Sequence, residues 1–128
     1  CYIVGCGRSG TTVLAELLSH HEEAAFLNEP RQLWIPEVPA FDVWSVAAPG
    51  RGGRLRFAPA EARAAAGACV VYRQLARLLR PGGRCVVLEK FPEHAFRLPF
   101  LAELCAQGLG EGRCAFLHIV RDGVDVAR

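Results

Sequence analysis

The apolar run Tyr2-Ile3-Val4 ends at a glycine, and the chain then passes through GCGRSGTT, Gly5 to Thr12, into an amphipathic segment. That order constrains the fold more than any other feature. A short apolar run stopped by glycine suits a strand buried on both faces, as strands in parallel sheets are. Gly5, Gly7 and Gly10 let the backbone turn tightly and approach a ligand. From Gly10 the spacing predicts a helix to about Ser19, with Val13, Leu14, Leu17 and Leu18 on its buried face. Strand, glycine loop and helix make the first half of a βαβ unit.

The rest of the chain repeats the alternation. Residues 24–27 read as a second short strand, and 28–59 as a long connection with a turn or two of helix. Trp34, Phe41 and Trp44 make that connection packed or ligand-facing. Residues 60–79 form the clearest helix, with Ala64, Ala68, Val71, Leu75, Leu78 and Leu79 on one stripe. Pro81-Gly82-Gly83 stops it. Residues 85–88 are the third strand, and 93–107 are helical in pattern but broken or kinked at Pro99. Residues 115–120 are the fourth strand, and RDGVDVAR opens another helix. Strands alternating with helices predict an α/β fold, a parallel sheet with helices on both faces. With 128 residues and no internal repeat, a single domain is expected.

Composition narrows the function classes. A net charge of +2 is too small to argue for nucleic acid. No apolar run reaches the roughly 18 residues of a membrane span, and no signal peptide or membrane anchor is visible. The chain starts at Cys1 without Met and stops at Arg128 inside a helical pattern, so a C-terminally truncated fragment is expected. Of fifteen basic residues only Lys90 is lysine. The six cysteines show no metal-ligand spacing and read as buried reduced thiols; a disulfide framework is not expected beside so much apolar core.

The glycine loop carries the chemistry. A nucleoside-triphosphatase P-loop has lysine where this chain has Thr11. An anion can be held without it. The first N–H groups of the following helix favour negative charge. Ser9, Thr11 and Thr12 add hydroxyl donors, and Arg8 supplies a fixed charge that can fork onto phosphate or sulfate oxygens. Ligands of open α/β sheets bind beyond the carboxyl ends of the strands. That rule gathers Glu29 and Arg31 after the second strand, Glu89 and Lys90 after the third, and Arg121, Asp122 and Asp125 after the fourth.

These residues bring the chain to a family. GCGRSGTT resembles the loop with which sulfotransferases hold the 5′-phosphosulfate of 3′-phosphoadenosine-5′-phosphosulfate (PAPS), with Gly7 where the family usually has proline. FLNEPRQLW is similar to the segment carrying the catalytic base in tyrosylprotein and carbohydrate sulfotransferases. EKFPEHAFRLPFL resembles their Lys-x-Pro segment, and AFLHIVRDGVDVAR their 3′-phosphate-binding strand and helix. The likeness spans nearly the whole chain and implies a P-loop-like sulfotransferase core. The serine that follows the arginine of that last motif would fall just past Arg128.

The resemblance implies roles position by position. Gly7, Arg8, Ser9, Gly10, Thr11 and Thr12 would cradle the phosphosulfate, Arg8 also meeting charge in the reaction. Glu29 would be the general base, Lys90 would balance charge on the leaving oxygen, and Arg121 would hold the 3′-phosphate. PAPS has no polyphosphate chain for a metal to bridge, so no metal is expected. The acceptor would be a small-molecule, carbohydrate or tyrosyl hydroxyl, and bacterial cytoplasm and Golgi lumen both fit. Plainer roles are an ion pair of Glu29 with Arg31 or a turn-capping role for it, a surface lysine at position 90, a pair of Arg121 with Asp122 or Asp125, and a core position for His118. Two other functions stay open: a P-loop kinase or NTPase with Asp122 on Mg²⁺, and a non-catalytic nucleotide-binding relative.

Overall fold

A computed structural model of the chain describes residues 1–36, 66–79, 81–108 and 113–127. Phe41, Trp44, Ala64 and most of the glycine-rich stretch before Arg113 lie outside the described residues.

Strands β1 (Tyr2–Gly5), β2 (Ala24–Asn28), β3 (Val86–Lys90) and β4 (Phe116–Ile119) form one sheet in the order β2-β3-β1-β4. Every pairing is parallel. The register sets Tyr2 beside Glu89 and Phe116, and Gly5 beside Ile119. The chain leaves β1 for β2 and β3 on one side and returns to the other side with β4. The loop after β1 therefore sits where the winding changes side, the usual place for a ligand in such sheets.

Each strand's alternation feeds two layers. Tyr2 and Val4 join Trp34, Tyr72, Phe91, Phe100, Leu101, Leu104 and Cys105 in one buried cluster. Its helices are α2 (Arg31–Trp34), α3 (Ala66–Leu79) and α4 (Leu98–Gly108), with a 3-10 helix at Pro92–Phe96 between β3 and α4. Ile3 points the other way, to the face crossed by α1 (Thr11–Ser19), which packs on β1, β2 and β3. A short helix α5 (Gly123–Ala127) follows β4.

Several expectations change in detail. The buried face of α1 is Thr11 and Ala15, with Leu14 and Leu18 half-buried, while Val13 and Leu17 are 62% and 67% exposed. The smaller Thr11 and Ala15 let the helix lie close on the sheet, turning the larger side chains outward. Pro99 does not kink a long helix. It lies in the first turn of α4, where a missing N–H is tolerated, and the break falls at Arg97. His118 is exposed, because β4 is an edge strand here. Cys105 and Cys114 form a disulfide between α4 and the segment just before β4, so these two are not reduced thiols. Cys6 is exposed, and Cys1 and Cys85 are half-buried.

Candidate functional site

Parallel strands put all four carboxyl ends on one edge, and the loop after β1 lies there. Its geometry explains its composition. A Cβ on Gly5 would stand 2.8 Å from the Ile119 carbonyl oxygen and 3.0 Å from Ser9 Oγ, so only glycine fits between β1 and β4. Gly10 adopts φ 101° as the N-cap of α1, a conformation that strains any other residue. Gly7, by contrast, borders open space, so a side chain there meets no obstacle.

The first turn of α1 faces the loop without a side-chain cap and without an acidic residue. Its N–H groups are left for a ligand or water. Arg8 and Thr12 are exposed beside it, whereas Ser9 and Thr11 are buried. The Ser9 hydroxyl donates to the Cys6 carbonyl at 2.6 Å, and the Ser9 N–H reaches the same oxygen at 3.2 Å. Ser9 thus ties the loop, and its proton is engaged within it. Arg121, just after β4, reaches this loop: its Nη1 donates to the Arg8 carbonyl at 3.4 Å. Its neighbour Asp122 accepts from the Val124 N–H at 2.8 Å, capping α5.

Glu29 and Lys90 meet at the ends of β2 and β3. The Lys90 ammonium donates to Glu29 Oε1, and the Glu29 N–H donates to the Lys90 carbonyl at 2.8 Å. Lys90 is buried, while the Glu29 side chain is 46% exposed. β3 lies next to β1, and β2 one strand further out. Lys90 is level with Ile3 in β1 and with Asn28 in β2, so the pair sits one to two strands from β1, and Gly5 lies two residues further along β1.

Among the described residues, the non-glycine positions with positive φ are Arg8 (67°) and Glu29 (45°). A left-handed conformation there costs about 1–3 kcal/mol and persists only where the surroundings impose it. Both residues are ones that the sequence singles out for chemistry.

Glu89 departs from expectation. It lies within β3 rather than after it, and the two-residue period of a strand turns it away from Lys90 to the opposite face. There it is 1% exposed and accepts from Trp34 Nε1 at 2.6 Å, from the Tyr72 hydroxyl and, by its contact with Nε2, from His94. Burial, then the Glu89 charge, pushes the Tyr72 hydroxyl far above the usual phenol range. This network lies under the site and fixes the end of α2 through Trp34. Sequence reading missed it because nothing local links Tyr72 or Trp34 to Glu89.

Arg31 pairs not with Glu29 but with Glu93 on the 3-10 helix, at 3.0 Å. The other carboxylate oxygen of Glu93 lies 3.6 Å from Arg97 Nη2, the i,i+4 partner that the sequence spacing suggests. Arg97 is fully buried, and burial lowers its pKa to about 10 against the opposing pull of Glu93. The Arg31 and Arg97 guanidiniums stand 5.9 and 5.7 Å from the Phe91 ring centroid.

The parallel sheet, the glycine loop leading into an uncapped helix, and the Glu29–Lys90 pair on the same edge define an α/β protein whose candidate site lies at the carboxyl ends of its strands. The family model of the sulfotransferase family matches residues 1–128, and the chain belongs to that family. Its chemistry is therefore sulfuryl transfer in general terms. No curated protein and no solved structure matches the chain.

Proposed function

We propose that this domain transfers a sulfuryl group from PAPS to an acceptor hydroxyl, with Glu29 as general base and no divalent metal. The observation that carries the reading is the Glu29–Lys90 pair on the edge where the Arg8 loop and Arg121 meet. PAPS would supply the activated sulfuryl group. The N–H groups of the first turn of α1, Arg8 and the hydroxyls of Thr11 and Thr12 would bind the phosphosulfate, with Gly7, Ser9 and Gly10 shaping the loop. Arg121 would bind the 3′-phosphate.

The acceptor oxygen forms a bond to sulfur as the bond from sulfur to the phosphate oxygen breaks. The acceptor proton passes to the Glu29 carboxylate. Negative charge grows on the departing phosphate oxygen, where the Lys90 ammonium and the Arg8 guanidinium meet it as fixed donors. Lys90 leaves Glu29 to do so, which frees the carboxylate to take the proton.

Glu29→Gln tests the assignment. It keeps the shape of the side chain but cannot accept the proton as a carboxylate does. Transfer from radiolabelled PAPS should be lost while affinity for the product nucleotide PAP stays close to that of the unsubstituted protein. Full transfer by Glu29→Gln would remove the base assignment.

A further inference from the structure

The restraints described on the Glu29 turn come from the segment that runs from the end of β3 through the 3-10 helix. Lys90 receives the Glu29 N–H and donates to its carboxylate. On the other side, the Arg31 N–H donates to the Glu29 carbonyl at 2.7 Å, and the Arg31 guanidinium is held by Glu93. Glu93 is only 12% exposed and touches a second guanidinium, that of the buried Arg97. Both cations lie against Phe91, itself 1% exposed. Glu93 is thus a partly buried anion between two arginines, and one of them adjoins the strained Glu29 through the backbone.

We infer that Glu93 is a positioning residue: by clamping Arg31 it holds the Glu29 turn in its left-handed conformation and aims the carboxylate. The inference rests on the reading of Glu29 as the base. Without the clamp the turn can relax toward ordinary backbone angles, moving a carboxylate that must meet an acceptor proton at hydrogen-bond distance. The nucleotide loop lies on a different element and is untouched.

The test uses Glu93→Gln, which keeps the shape but loses the charge that holds two arginines, with Glu93→Asp as the conservative variant. Amide hydrogen exchange at Glu29 should quicken in Glu93→Gln while exchange at Ile3 in β1 stays unchanged. Transfer from radiolabelled PAPS, with 4-nitrophenol, a tyrosyl peptide and N-acetylglucosamine as acceptors, should fall about 10- to 100-fold in kcat. KM for PAPS should hold, and Glu93→Asp should recover part of the loss. Arg31→Gln removes the same link from its more exposed side, should reproduce these effects, and takes the place of Glu93→Gln if that variant does not fold. The exchange measurement needs no acceptor and decides alone if none is turned over. Unchanged Glu29 exchange or unchanged kcat overturns the clamp. Activity retained by Glu29→Gln counts instead against the base.

Discussion

Lys90, buried at the end of β3, pairs its ammonium with the half-exposed carboxylate of Glu29 across the junction of β3 and β2. The partners differ in surroundings: the carboxylate keeps contact with water, whereas the ammonium has left it. Desolvating an ammonium is expensive; removing one member of a buried pair is costly when its partner is left buried and unpaired, but Glu29 is 46% exposed and can be hydrated in its absence.

Lys90→Met should therefore separate function from stability. Thermal melting should show a Tm equal to or above that of the unsubstituted protein, and transfer from PAPS should be lost. A Lys90→Met protein with full activity would show that the lysine serves the fold alone.

The glycines of the loop should differ sharply in tolerance. Gly5→Ala puts a Cβ against the Ile119 carbonyl and Ser9 Oγ, and overpacking of this kind costs about 1–3 kcal/mol. Gly7→Ala enters open space and should change stability by less than about 0.5 kcal/mol. Chemical denaturation of the two variants side by side checks the ordering.

Tyr72 gives the protein an alkaline weakness. Its hydroxyl is neutral in both states below its ordinary pKa of 10.0. Above that pH the unfolded chain releases the proton, while the folded chain, with Tyr72 buried beside Glu89, retains it. The folded state then binds more protons, so stability falls as pH rises, by about 1.4 kcal/mol per unit. Arg97 works the other way, because burial brings its folded pKa to about 10, below the ordinary guanidinium range. Comparison with Tyr72→Phe isolates the tyrosine. The stability of the unsubstituted protein relative to Tyr72→Phe should decline from pH 9.5 to pH 11, following the stated slope once pH passes the ordinary value. A constant difference would show that the hydroxyl titrates in the folded state as it does in the unfolded.

The first βα unit was legible because its signals are local: an apolar run, the glycines that end it and form the turn, and a helix start. The face that α1 buries was not, because counting large apolar residues favours Val13 and Leu17, whereas closeness to the sheet favours Thr11 and Ala15. Glu89 and Lys90 looked equivalent as neighbours beyond a strand. Extending β3 by two residues gave them opposite faces and unlike surroundings. The Arg31–Glu93 pair joins positions 62 apart in sequence, and the Cys105–Cys114 disulfide ties α4 to the segment just before β4. Such partners become visible only when the sheet brings their elements together. The positive φ at Glu29 belongs with them, since its backbone is held by Lys90 from another strand.

The central claim is that the loop after β1 grips an adenosine bisphosphate nucleotide through Arg8 and the first amides of α1, without magnesium. Calorimetric titration with PAP, with and without EDTA, tests it most directly. Binding should occur with the same affinity in both buffers, and Arg8→Ala should weaken it by about tenfold or more. Absence of PAP binding, together with binding of ATP that requires Mg²⁺, would contradict the account.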